Sequence, residues 1–125
     1  MSTFDFNDGK GPVAARRHRN PDGSIGGWVA DSAFVSKDAW IGENAKVFGN
    51  AKVYGNAKVY GNAWVWGEAY VFGNAWVSGK AKIFGNARIR GKSKIKKKIF
   101  QFDFNYSFVE EFEKIEEKEL ENEHI

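Results

Sequence analysis

Hydrophobic positions return along this chain with a period of six. Aliphatic residues stand at Val29, Val35, Ile41, Val47, Val53, Val59, Val65, Val71, Val77, Ile83, Ile89 and Ile95 without a slip. Four residues after each of the first eleven comes a small one, from Ala33, Ala39 and Ala45 through to Ala87 and then Ser93. Between them Gly and Asn often follow in order, as in Gly49-Asn50, Gly55-Asn56, Gly61-Asn62, Gly73-Asn74 and Gly85-Asn86. This period fits neither the turn of an α-helix nor the alternation of a long strand. It fits very short strands separated by corners. The β-branched Val or Ile favours extended backbone and points inward. The Gly-Asn pair tolerates positive φ, so the chain can turn there at small steric cost. Ala is small enough to pack inside a narrow corner.

The pattern closely resembles the hexapeptide repeat of left-handed parallel β-helix proteins, in which a small residue follows an aliphatic one by four positions. The resemblance covers Val29 to about Phe100. It implies an all-β solenoid in which three hexapeptides make one triangular coil, so that the array makes about four coils spaced by about 4.8 Å. Val29, Val47, Val65 and Ile83 then form one interior ladder. Val35, Val53, Val71 and Ile89 form the second, and Ile41, Val59, Val77 and Ile95 the third. The expected organisation is an N-terminal cap over residues 1–28, the β-helix over 29–100, and a C-terminal cap over 101–125.

Stacked coils end in open strand edges that template aggregation unless covered. Gly9, Gly11, Pro12, Pro21, Gly23, Gly26 and Gly27 predict a loop-like N-terminal cover. At the other end Phe100, Phe102 and Phe104 alternate with Gln101 and Asp103, which predicts a strand. Ser107 and Glu110 have capping-box spacing, and an amphipathic α-helix is expected from about Phe108 to Asn122. That helix either lies across the last coil or serves as an oligomerisation or partner helix. The tetrapeptide Phe-Asp-Phe-Asn occurs at Phe4–Asn7 and again at Phe102–Asn105.

Residues flanking each interior aliphatic point outward. The preceding positions read Trp28, Lys46, Trp64, Lys82 on the first face, Phe34, Lys52, Tyr70, Arg88 on the second, and Trp40, Lys58, Trp76, Lys94 on the third. Aromatic and cation therefore alternate coil by coil, within cation–π reach. The following positions read Ala30, Phe48, Trp66, Phe84, then Ser36, Tyr54, Phe72, Arg90, then Gly42, Tyr60, Ser78, Lys96. The first face is the most apolar. Trp28, Phe48, Trp64, Trp66 and Phe84 are expected to pack against another subunit or a terminal segment, with a supporting aromatic ladder or a ligand platform as alternatives. The resemblance implies a homotrimer, and closed symmetry is the usual solution for soluble oligomers.

Among the 125 residues there is no Cys, which removes disulfides and thiolate metal ligands. The first ten residues hold no apolar run of a signal peptide, and no stretch approaches the ~20 apolar residues of a membrane span. A cytoplasmic protein is expected. The formal charge of +3 hides an asymmetry: cations collect at Arg16, Arg17 and Arg19 and from Arg88 to Lys98, while carboxylates collect from Glu110 to Glu123.

The resemblance also points to acyltransferases, which need a general-base His, and to carbonic anhydrases that hold a metal with three His. Only His18 and His124 are present, both outside the coils, so no metal, no cofactor and no catalytic residue is expected. Asp31, Asp38, Glu43 and Glu68 fall at corners and read as solvated surface. Ice binding is excluded because Thr3 is the one threonine. The remaining candidate site is the run Arg16, Arg17, His18 and Arg19, either a solvated loop in the cap or an anion clamp at the rim of an intersubunit cleft with Lys46 or Lys52, and Tyr54 is a further candidate ligand-binding residue. The expected function is a non-catalytic oligomeric β-helix that binds an anionic small molecule such as a nucleotide, or a host protein. Similarity to small phage and prophage arrays with Asn-Ala-x-Val-x-Gly repeats implies a phage accessory role, inhibiting a bacterial defence system by protein binding or by sequestering a nucleotide signal. A divergent acyltransferase using His18 at a subunit boundary is the alternative. Nucleic acid is a weaker expectation, resting on Arg88 to Lys98 alone.

Overall fold

The computed structural model describes residues 2–95 in full and the backbone of 105–106. Three strands open the chain: β1 (Thr3–Asp5), β2 (Pro12–Arg19) and β3 (Ile25–Ala30). Eleven two-residue strands follow, one per hexapeptide: β4 (Phe34–Val35), β5 (Trp40–Ile41), β6 (Lys46–Val47), β7 (Lys52–Val53), β8 (Lys58–Val59), β9 (Trp64–Val65), β10 (Tyr70–Val71), β11 (Trp76–Val77), β12 (Lys82–Ile83), β13 (Arg88–Ile89) and β14 (Lys94–Ile95). The last strand is β15 (Asn105–Tyr106).

These strands stack into three sheets, in the orders β1-β2-β3-β6-β9-β12, β15-β13-β10-β7-β4 and β14-β11-β8-β5. Successive coil strands pair in parallel with an eighteen-residue offset, as in Val47↔Val65, Val53↔Val71 and Ile41↔Val59. The molecule is therefore a β-solenoid of about four coils, and the three interior ladders have the register that the six-residue period predicts. All twelve aliphatic repeat positions are buried in one continuous core with the alanines. The hydrogen bonds repeat as well: Lys46 N–H donates to the Ala63 carbonyl and Phe48 N–H to the Val65 carbonyl, and the same step recurs through the stack.

Each corner places its glycine in the left-handed region, with φ between 63° and 69° from Gly49 to Gly91. Of the Gly-Asn pair, Gly alone carries the positive φ among the coils, and Asn takes an ordinary one. That sign pattern belongs to turns that need positive φ at their first central residue. A second constraint acts at the same place. Corner glycines stack on one another, and a Cβ at Gly61 would lie 2.8 Å from the backbone nitrogen of Gly79.

The head departs from the loop-like cap that Gly and Pro predict. β1, β2 and β3 form an antiparallel meander that continues the first sheet. The turn Asn20-Pro21-Asp22-Gly23 joins β2 to β3, closed by Gly23 N–H on the Asn20 carbonyl at 2.8 Å. Asp22 accepts from the Ser24 hydroxyl and amide, which holds its carboxyl below the usual range. β3 runs across position 28 into the first repeat, so the cap and the coils share a strand.

Two side chains of the head then cover the third sheet. Asn20 pairs its primary amide with the edge of β5: Oδ1 accepts from Ile41 N–H at 2.8 Å and Nδ2 donates to the Ile41 carbonyl at 3.1 Å. His18 Nε2 lies 2.8 Å from the Ala39 carbonyl. A side-chain amide thus stands where the next strand would be, and no polar edge group is orphaned there. β4, at the head of the second sheet, pairs with β7 alone among the described strands. Ala33 and Val35 are accordingly the least sealed interior positions, at 6% and 7% exposure.

At the tail, β15 adds in parallel to β13, with Asn105 opposite Arg88 and Tyr106 opposite Ile89. The expected strand around Phe100 to Phe104 and the helix from Phe108 to Asn122 lie outside the described residues.

Candidate functional site

The four residues of the basic run are each engaged within the chain. Arg16 Nη1 lies 3.3 Å from Asp31 Oδ1, an exposed ion pair of the kind that contributes little. Arg17 Nε donates to the Gly26 carbonyl at 2.8 Å and Nη2 to the Glu43 carbonyl at 3.3 Å, while its guanidinium sits 5.8 Å over Trp28. Arg19 Nη1 donates to the Gly23 carbonyl at 3.1 Å. His18 is buried at 7% exposure against the coil edge. These contacts make the run the clamp that fastens β2 over the first coil.

Nor do the expected partners all gather around it. Arg17 and Lys46 share an open concavity of about 290 Å³ with Phe4, Trp28 and Glu43. Lys52 and Tyr54 stand on the second sheet instead, where Lys52 Nζ lies 5.6 Å over Tyr70 and Tyr54 stacks on Phe72 at 4.9 Å. Six residues carry the chain round one corner, so Lys46 and Lys52 face different directions. Within one chain, therefore, Arg17 and Lys46 come together, while Lys52 and Tyr54 stand on a second face.

Burial shifts the His18 pKa below the usual imidazole value. Desolvation is the largest cause, the Ala39 hydrogen bond opposes it, and the Arg16 charge adds to it. The neutral ring with Nε2–H donating to the carbonyl is the form that fits. Because the folded state binds the proton less readily, stability is full above the unfolded value of about 6.5 and falls as pH drops below it. Urea midpoints taken from about pH 8 to about pH 5 are expected to decline below pH 6.5, with a shallower decline in His18→Gln. Equal slopes in both proteins would contradict this role for His18.

The outward ladders form as the alternation predicts. Trp64 lies between Lys46 at 5.7 Å and Lys82 at 3.8 Å, and Tyr70 between Lys52 at 5.6 Å and Arg88 at 3.9 Å. Lys94 lies 5.1 Å over Trp76. Each such contact is worth about 0.5–1 kcal/mol at exposed sites.

On the first sheet the rings Phe6, Phe48, Trp66 and Phe84 stack in one column, with centroids 4.7, 5.5 and 4.5 Å apart. Phe4 stacks on Trp28 at 4.9 Å. Part of the expected oligomer face is therefore covered by the chain's own β1 segment: Phe48 is 3% exposed, and Trp28 is half-buried under Phe4. Trp64, Trp66 and Phe84 are half-buried in the same ladder. The large hydrophobic side chains most open to solvent are elsewhere, at Ile25, Phe34 and Trp76.

The third sheet carries a separate group of aromatic and cationic side chains. Trp40, Lys58 and Trp76 occupy consecutive rungs of β5, β8 and β11. With Tyr60 they line an open concavity of about 470 Å³. Tyr60 meets Trp76 edge-on at 6.2 Å and 75°. In the columns of outward residues Gly42 and Ser78 flank Tyr60, and Ser78 stands where the first sheet has Trp66.

No family model, curated protein or solved structure matches the chain. Among the described residues no group of three or more His, Asp or Glu could hold a metal ion, and no helix is long and apolar enough to cross a membrane.

Proposed function

We propose that this chain is a non-catalytic, homo-oligomeric β-solenoid of the left-handed hexapeptide type, acting in the cytoplasm, that binds an anionic small molecule or a macromolecular partner through its outward ladders. The observation that carries this reading is the display of aromatic rings interleaved with Lys and Arg on all three faces. Rings offer stacking surface and cations meet phosphate or carboxylate, a combination suited to planar anions. The acyltransferase alternative needs His18 as a free base. Its Nε2 is instead held at the Ala39 carbonyl, in a buried position that fastens the cap. The phage accessory role, inhibiting a bacterial defence system, is carried by the resemblance of the repeats.

Assembly into a trimer has the same source, together with the open apolar side chains at Ile25 and Phe34. Sedimentation velocity at low salt is expected to give a species of three times the chain mass. A protein that stays monomeric at every concentration would overturn the trimer.

A further inference from the structure

We infer that the slot between Trp40 and Trp76 on the third sheet is a binding site for a planar heteroaromatic anion of nucleoside-monophosphate size. The inference rests on the binding reading above and assigns it a place and a ligand class. Its first support is a comparison within the molecule. The first sheet carries the same rung sequence, Trp28, Lys46, Trp64. There the chain supplies its own ring: Phe4 stacks on Trp28 at 4.9 Å, and Lys46 Nζ lies 5.9 Å over the Phe4 ring and 5.7 Å over Trp64. A Trp on this ladder therefore accepts a second ring stacked on it, with the cation of the next rung over that ring.

On the third sheet no ring of the described residues fills the equivalent place. Trp40 and Trp76 are two rungs apart, a gap of about 9.6 Å at the usual strand spacing. A ring at the middle rung would lie about 4.8 Å from each indole, within the range of offset-stacked aromatic pairs. The ladder Phe6, Phe48, Trp66, Phe84 shows the same step filled at 4.7, 5.5 and 4.5 Å. Tyr60 closes one side of the slot, and its neighbours in the column, Gly42 and Ser78, carry no ring to stack on it.

Charge selects the ligand further. Five outward cations, Lys46, Lys52, Lys82, Arg88 and Lys94, each lie over an aromatic ring of the chain. The Lys58 side chain makes no ion pair, hydrogen bond or ring contact among the described residues, although it stands between two tryptophans. Its ammonium is thus the free cation of the slot, available to a phosphate attached to the stacked ring. The volume of about 470 Å³ falls within the span of small-molecule sites and is generous for a single phenyl side chain.

Titration calorimetry of the full chain with adenosine 5′-monophosphate at low salt tests the assignment. One saturable submillimolar site is expected, with adenosine and inorganic phosphate each weaker by about tenfold. Lys58→Ala is expected to weaken binding about fivefold and Trp76→Leu tenfold or more, about the worth of one stacked base. Lys80→Ala, at a corner residue that does not line the slot, should bind as the parent does. Lys58→Ala removes no buried group, so it remains informative if Trp76→Leu folds poorly.

Affinity unchanged in Lys58→Ala and in folded Trp76→Leu would overturn the slot while leaving the general binding reading standing. Preference for the peptide acetyl-Phe-Asp-Phe-Asn-amide over the nucleotide would overturn the ligand class. Dissociation of a homo-oligomer by Trp76→Leu would assign the face to a subunit contact and end the proposal.

Discussion

Val59→Asp is expected to abolish cooperative folding, whereas Lys58→Asp, one residue away on the same strand, leaves the melting temperature nearly unchanged. Val59 is fully buried between Ile41 and Val77 in the third interior ladder. Replacement removes about 1.5–3 kcal/mol of side-chain burial. It also places a carboxyl where no donor of the ladder can reach it. The group must stay neutral or remain charged without a partner, and each pKa unit of enforced upward shift costs about 1.36 kcal/mol. The total exceeds about 4 kcal/mol, a large share of the ~5–15 kcal/mol that holds an ordinary domain together. A coil touches only its neighbours, so a break in the middle severs the stack. Lys58 points to solvent, and its substitution should cost under about 1 kcal/mol. Thermal unfolding followed by near-ultraviolet circular dichroism measures both variants. Equal effects in the two would put the register off by one residue.

Asn20→Ala is expected to destabilise the chain by about 2–4 kcal/mol and to promote association through the exposed strand edge. The Asn20 amide satisfies both Ile41 N–H and the Ile41 carbonyl, at 4% exposure. Truncation leaves two edge groups without partners, each costing about 1–3 kcal/mol unless water replaces the amide. Asn20→Asp should be no better. The carboxylate keeps an acceptor for Ile41 N–H but sets its second oxygen against the Ile41 carbonyl. Hydrogen exchange reports the effect locally, because the Ile41 amide should lose protection before the amides of the central coils do. Full protection of Ile41 in Asn20→Ala would show that something other than Asn20 caps this edge.

The coils were legible because their information is local and periodic. Each hexapeptide carries its own inward Val or Ile, its small corner residue and, in most coils, its left-handed glycine. Repetition fixes the pairing offset with no further knowledge. Alternation of side chains then placed the aromatic and cationic ladders outside, and five cation–π contacts follow from it.

What escaped the sequence is mainly contact between distant residues. His18 and Asn20 cap groups twenty-one positions away, and nothing nearby marks a histidine or an asparagine as a substitute strand. Phe4 and Phe6 seal Trp28 and Phe48 only because the β1–β2–β3 meander extends the first sheet and brings their rings onto its outer face. Apolarity of a column therefore did not establish exposure, and the expected subunit face proved partly occupied. A local signal was overlooked at the head. Asn20-Pro21-Asp22-Gly23 is a turn between two segments free of breakers on the β2 side, which marks a hairpin more strongly than the scattered glycines mark a loop.

Native mass spectrometry of protein purified from cells at low salt, without denaturant, tests the binding account most directly. It reports the assembly and any retained small molecule together. A homo-oligomer carrying an added mass of nucleotide size is expected. A bare monomer would contradict it.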